Sequence, residues 1–229
     1  MPVVPNAAGE VLPGLWVGNL MSAFHLGHLA QESTDIGSSS TDRRVAVVVT
    51  VISVLSNPNL IKLVTDALEG QRRLKVGKPA TSNNAENYRS RRIIIGINHI
   101  VIPLKDTVDS DLSSLLPNAL TAIDEALGKN VTLSSPSTND CLPTDFDRDD
   151  VKYHNQRRIC LVHCARGASR SVSVIVAYLL SRHSHAFNTF DEALRHVRTV
   201  RPQAIPNVGF ARELLRMERN IDRDQSSTH

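Results

Sequence analysis

Apolar residues along this chain fall into two kinds of run. Unbroken, β-branched runs at Val45 to Leu55 and Ile159 to Val162 read as strands covered on both faces. Ile93 to Leu104 is a third such run, bent or turned at Gly96-Ile97-Asn98, and Leu15-Trp16-Val17-Gly18, bounded by Pro13-Gly14 and Asn19, is a short first strand. Other runs repeat at helical spacing. Leu20 to Gln31 has helical character, and Asn57 to Leu68 carries Leu60, Leu63, Val64, Ala67 and Leu68 on one side. An amphipathic helix is predicted from about Ser110 to Leu127, ended by Gly128. Val172 to Leu180 is a helix apolar on all sides, which predicts a buried one. Thr189-Phe190-Asp191-Glu192 has the form of a capping box and opens a helix that Arg201-Pro202 stops. Pro206-Asn207 starts the last helix, with Phe210, Leu214, Met217 and Ile221 on one face.

Three polar stretches interrupt this pattern, at about 32–42, 70–92 and 129–157, and read as insertions in a single domain whose core spans about 11–221. The tail, 222–229, reads as frayed. Strands alternating with helices imply an α/β fold: a mostly parallel central sheet flanked by helices, with ligands bound at the carboxyl ends of the strands.

At 229 residues, with 41% hydrophobic and 21% charged residues, the chain has the composition of a soluble globular domain rather than a disordered one. A net charge of +3 suits an anionic substrate but falls short of the charge density of a nucleic-acid binder. No signal pattern or membrane-length apolar run occurs, so the expected location is cytoplasmic or nuclear, with no membrane partner. Three cysteines, Cys141, Cys160 and Cys164, are too few for a disulfide scaffold. Cys160 and Cys164 lie about 13 Å apart on an extended strand, too far to bridge. Cys141 is a candidate to pair with Cys164 under oxidation. His25 and His28 are one helical turn apart but lack a third ligand, and neither metal nor cofactor is expected. The basic stretch within 70–92 reads as solvated surface.

The chemistry concentrates where Ile159 to Val162 empties into a loop before a helix. Cys164 sits at the mouth of that helix, against unpaired backbone N–H groups and the positive end of the dipole, which favour thiolate over thiol. Arg170 supplies a guanidinium fork for two phosphate oxygens, while the amides of Ala165, Arg166, Gly167, Ala168 and Ser169 could cradle the rest. Gly167 allows the tight turn, and the Ser171 hydroxyl is placed to assist a departing thiolate.

The stretch H-C-x-x-G-x-x-R-S, from His163 to Ser171, resembles the signature of the cysteine-dependent protein phosphatases, in particular the dual-specificity group. Leu15 to Leu20, Ile102 to Asp106, Ala177 to Leu180, Arg201-Pro202 and Pro206-Asn207 with Phe210 and Leu214 look like further parts of that family. The resemblance implies that Cys164 attacks phosphorus, Arg170 clamps the phosphoryl oxygens and Asp106 is the general acid. A positioned carboxylic acid is what the departure of an alkoxide or phenolate calls for. Asp145 and Asp147, in the last insertion, are the alternative acids. His163 is expected to hydrogen-bond structurally and tune the thiolate, and Ser169 to shape the loop. Arg166 stands where the family usually has a small residue, and it reads either as a surface residue or as positive charge at the rim. The expected activity is hydrolysis of phosphotyrosine and phosphoserine or phosphothreonine in a phosphoprotein substrate. The alternatives are a phosphatase for an inositol phosphate or an RNA 5′ end, or a phosphoprotein-binding module without turnover. The sequence does not fix the oligomeric state.

Overall fold

The computed structural model describes residues 8–26, 29, 43–51, 58–73, 93–128 and 157–226. Five strands form one sheet in the order β1-β2-β5-β3-β4, with β1 at Ala8–Leu12, β2 at Leu15–Gly18, β3 at Arg43–Val51, β4 at Ile93–Ile102 and β5 at Arg157–His163. The β2–β5, β5–β3 and β3–β4 pairs are parallel, while β1 and β2 are antiparallel. The sheet is therefore mostly parallel, as the alternation of runs implies.

Successive residues on a strand face opposite sides, and both sides are covered. Leu15, Val17, Val47, Val49, Val51, Cys160 and Val162 pack into one core, and Trp16, Val48, Ile159 and Leu161 into the other. Helices α1 (Leu20–Phe24) and α2 (Pro58–Arg73) cover the second face. Helices α3 (Leu116–Ala126), α4 (Arg170–Arg182), α5 (Phe190–Val200) and α6 (Val208–Ser226) cover the first. Helix α4 is wrapped by its neighbours, and every residue from Ser171 to Leu180 is buried, which accounts for its all-round apolar surface. Its one large polar partner is satisfied: the Tyr178 hydroxyl donates to buried Asp124 at 3.1 Å, and Arg182 Nε meets the same carboxylate at 2.7 Å.

Several boundaries differ from the sequence pattern for identifiable reasons. Strand β1 lies ahead of the first predicted strand and exists by pairing with β2 through the turn at Gly14, whose φ is 82°. Helix α1 is capped by His25, and Leu26 and Leu29 are helical again, so the helical character read from Leu20 to Gln31 is interrupted by a turn at His25. Helix α2 runs through Gly70 to Arg73, because Gln71 Nε2 donates to the Ala23 carbonyl at 2.8 Å and Gln71 Oε1 accepts from Leu26 N at 3.1 Å. Its buried residues include Val64 and Leu68, whereas Leu63 is 53% exposed. Strand β4 is continuous, and the expected bend is a register shift opposite Arg44 and Val45. Helix α3 begins at Leu116 instead of Ser110: Pro117 has no N–H to give to the preceding turn, so the residues before it form turns. Helix α6 continues past Ile221 to Ser226, since residues 222–226 hold no proline or glycine. The 32–42 insertion, residues 74–92 and 129–156, His28, Cys141, Asp145 and Asp147 lie outside the described residues.

Candidate functional site

Cys164 follows the last residue of β5 and is 2% exposed. Residues 165–169 then turn back over its sulfur before Arg170 begins α4. The turn depends on Gly167, whose φ is 67°; a Cβ there would lie 2.5 Å from the Gly18 carbonyl oxygen and 2.6 Å from Arg201 Nη2. No L-residue with a side chain fits that space without moving backbone.

Four successive loop carbonyls, those of residues 165–168, are tied to donors from outside the loop. The oxygen of Ala165 accepts from Leu20 N at 3.2 Å and that of Ala168 from Ile205 N at 2.7 Å. The oxygens of Arg166 and Gly167 accept from Arg201 Nη2 at 2.8 Å and Arg201 Nε at 3.0 Å. In a trans peptide the N–H points opposite to the preceding carbonyl, and no peptide bond among the described residues is cis. Anchoring four successive oxygens outward thus turns the next four N–H groups inward. Gly167 N–H shows this directly by donating to Cys164 Sγ at 3.2 Å. Such a ring of converging amides is an anion cradle.

The sulfur also accepts from Ser171 Oγ at 3.3 Å. Burial pushes the Cys164 thiol pKa up, yet the Ser171 hydroxyl and backbone N–H, the Arg170 charge and the Gly167 N–H outweigh it, and the net pKa is lowered. Cys160, four residues earlier, has no such partners among the described residues; burial pushes its thiol up to about 12, and neither cysteine is in a disulfide. One chain position makes a thiolate and the other an inert core thiol.

Asp106 lies across the cradle from the sulfur's own strand, four residues past the end of β4. Its Oδ1 accepts from Ser169 Oγ at 2.7 Å and from Asn207 Nδ2 at 2.9 Å, and its Oδ2 is 3.6 Å from Arg170 Nε. Asn207 binds the assembly further: its N–H donates to Ser169 Oγ at 3.1 Å and its Oδ1 accepts from Phe210 N at 3.0 Å, capping α6. Arg170 Nε is buried without a hydrogen-bond acceptor among the described residues, which suits a side chain built to meet an anion. His163 is 1% exposed; burial pushes its pKa down to about 4 against an opposing backbone contact with Cys164, so the ring is neutral. Arg166 is exposed at the loop surface.

The structure therefore gathers Cys164, Ala165, Arg166, Gly167, Ala168, Ser169, Arg170, Ser171, His163 and Asp106 at one end of the parallel strands. Arg201, Asn207 and Thr50 also belong to this arrangement, though none stands out by residue type. Arg201 could have been found by spacing: as the C-cap of α5 it follows, four residues on, buried Val197 of that helix's inner face. His25 bonds to the Met21 carbonyl at 2.9 Å, and the described residues hold no cluster of three metal-ligating side chains.

A lowered-pKa cysteine inside an amide cradle, with an arginine and a carboxylate at its edge, is the arrangement that the resemblance to cysteine-dependent phosphatases implies. The sequence profile described as "Dual specificity phosphatase, catalytic domain" matches residues 149–220. The chain is 48% identical over 61 residues to Dual specificity protein phosphatase 1 of Arabidopsis thaliana, covering 27% of this chain and 29% of that protein. It is 38% identical over 90 residues to Dual specificity protein phosphatase 22 of Homo sapiens, covering 38% of this chain and 46% of that protein. These matches span less than half of each relative's length. In fold it resembles a human tyrosine phosphatase-like serine/threonine/tyrosine-interacting protein (TM-score 0.54, 16% identity, 93% of this chain and 97% of that one). It also resembles the Yvh1 phosphatase domain from Chaetomium thermophilum (TM-score 0.52, 23% identity, 95% and 97%). Over residues 149–220 the chain matches the dual-specificity phosphatase catalytic-domain family, and the relatives it resembles there carry that family's name.

Proposed function

We propose that the protein hydrolyses phosphotyrosine and phosphoserine or phosphothreonine in phosphoprotein substrates through a phosphocysteine intermediate, without metal or cofactor. The observation that carries this reading is the environment of Cys164 Sγ, held by Gly167 N–H and Ser171 Oγ beneath amides turned inward. Arg170 and the loop N–H groups bind the three non-bridging phosphoryl oxygens and stabilise the charge spread over them in the transition state. The thiolate attacks phosphorus on the side opposite the leaving oxygen. A P–S bond forms as the P–O bond breaks, and Asp106 gives its proton to the departing oxygen. Water then attacks phosphorus, Asp106 takes its proton, and the P–S bond breaks while the Ser171 hydroxyl donates to the released thiolate, leaving inorganic phosphate. The printed names of the relatives, dual specificity protein phosphatases, support the substrate range. A cytoplasmic or nuclear setting, where thiols stay reduced, suits a free nucleophilic cysteine.

The test is turnover of an aryl phosphate and of phosphotyrosine and phosphothreonine peptides across pH, with chelator present. Rate rises with pH as the thiolate forms, with a midpoint below the ordinary thiol value because the Cys164 pKa is lowered. Asp106→Asn is expected to lower kcat about 10²-fold on esters with poor leaving groups and much less on a good aryl leaving group, which departs without a donated proton. Asn207→Ala leaves the carboxyl but unties it, and kcat falls about tenfold. Equal losses in Asp106→Asn for good and poor leaving groups would assign the acid elsewhere, with Asp145 and Asp147 the first residues to test. Phosphopeptide binding without turnover would replace the enzyme with a recognition module.

A further inference from the structure

Six large apolar side chains are exposed among the described residues, and three of them, Val108, Ile205 and Val208, lie within two residues of Asp106 or of its partner Asn207. They are 50%, 63% and 61% exposed, whereas their neighbours Ala204, Pro206 and Gly209 are buried. Backbone contacts bring the two segments together. Ile205 N donates to the Ala168 carbonyl at 2.7 Å, and Asn207 Nδ2 reaches the Thr107 carbonyl at 3.4 Å. A Cβ on Gly209 would lie 2.9 Å from Val108 Cα, so the loop that carries Asp106 rests directly on the first turn of α6. Residues 205–208 thus run along the edge of the cradle, with residues 106–108 beside them. Aliphatic side chains scattered singly over a surface need no explanation, but three gathered beside a reacting carboxyl gain by being covered.

The reaction fixes what crosses this edge. Asp106 gives its proton to the leaving oxygen, and in a phosphoprotein that oxygen belongs to the serine, threonine or tyrosine side chain of the substrate. The residues on either side of it follow at about 3.3 Å each in an extended chain, so the nearest of them pass over residues 106–108 and 205–208. From Pro202 to Gly209 no residue is charged. On the Asp106 loop, Lys105 and Asp109 are both exposed and carry opposite signs. This edge therefore has no net charge with which to select an acidic or a basic neighbour, whereas an aliphatic side chain laid on it removes apolar surface from water on both partners.

We infer that Val108, Ile205 and Val208 form a specificity-determining rim that binds an aliphatic residue next to the phosphorylated one in the substrate. This rests on the phosphoprotein reading proposed above. The test compares kcat/KM on phosphotyrosine and phosphothreonine peptides flanked by serine alone with the same peptides carrying leucine at −2, −1, +1 or +2 in turn. In the wild type the best leucine peptide is expected to exceed the serine peptide about tenfold. In the triple variant Val108→Ser, Ile205→Ser, Val208→Ser that ratio is expected to fall to about one. A general catalytic defect lowers both peptides alike and leaves the ratio unmoved, so the ratio reads recognition by the rim. Should the triple variant not fold, Val108→Ser alone decides, with a ratio reduced about threefold. Equal rates on all peptides in the wild type, or a leucine preference that survives in the variants, would overturn the inference. So would a wild-type dimer in sedimentation that the triple variant converts to monomer, since the rim would then serve a second copy of the chain. Aryl phosphate turnover by the wild type separates the two levels: with it, a missing preference sinks the rim alone, and without it the enzyme reading falls as well.

Discussion

Cys164→Ser is expected to lower turnover of every phosphate ester on the order of 10⁵-fold while leaving phosphopeptide binding within a few-fold of the wild type. The two halves of this outcome come from different atoms. In the proposed mechanism binding comes from the loop amides and Arg170, which the substitution leaves in place, and the outward bonds that aim those amides do not involve the sulfur. Attack is supplied by a thiolate whose pKa is lowered by Ser171, Arg170 and Gly167 against the cost of burial. A serine hydroxyl in the same cradle has a far higher pKa than a thiol, and the same donors do not bring it near ionisation at neutral pH. Steady-state kinetics and a phosphopeptide titration check both halves. Loss of binding together with turnover would mean that the sulfur organises the loop rather than reacting from within it.

The second large effect is expected at a residue that touches no substrate. Arg201→Met should reduce kcat/KM by about 10²- to 10³-fold, because a loop displaced by about an ångström no longer aims its donors. Arg201 is 1% exposed, and its guanidinium holds the carbonyls of two adjacent loop residues, Arg166 and Gly167. Without it those oxygens are buried acceptors lacking a charged donor, and the peptide planes that present N–H groups to the sulfur lose their anchor. Loss of hydrogen bonds from a charged group should also cost about 2–3 kcal/mol of stability, measured by denaturant unfolding. Methionine keeps much of the side-chain volume, so a packing defect contributes little to the difference. The Cys164 thiol pKa should rise in this variant, which alkylation against pH will read. Wild-type kcat/KM in a folded Arg201→Met protein would show that the loop holds its shape unaided.

How much of this arrangement the sequence discloses depends on the range of the interaction. His163 to Ser171 are legible because strand, loop and helix start are consecutive, and a cysteine, a glycine and an arginine at that junction have few other uses. The sheet is legible in the β-branched runs, and the burial of α4 in its lack of a polar face. Asp106 is reachable because it follows a strand, but its placement is settled by Asn207, 101 residues further along the chain. The Thr50–His163 contact spans 113 residues and depends on strand register, which no local pattern specifies. Helix α2 likewise outruns its own periodicity because Gln71 is pinned to Ala23 and Leu26, whereas the late start of α3 follows from Pro117, whose signal a strong leucine repeat masks. Strand β1 has too little apolar content to announce itself; Gly9 lies so close to α5 that a Cβ there would be 2.5 Å from the Val200 carbonyl oxygen, a constraint visible in three dimensions alone.

The central claim is that the phosphoryl group passes through Cys164. Acid quench of the wild type during turnover of an aryl phosphate, followed by peptide mass spectrometry, tests it most directly. The account predicts one phosphoryl group on the peptide containing Cys164, absent from Cys164→Ser and lost when the quenched substrate is omitted. Turnover at full rate with no phosphoryl group on that peptide, or with the group on another residue, would contradict it.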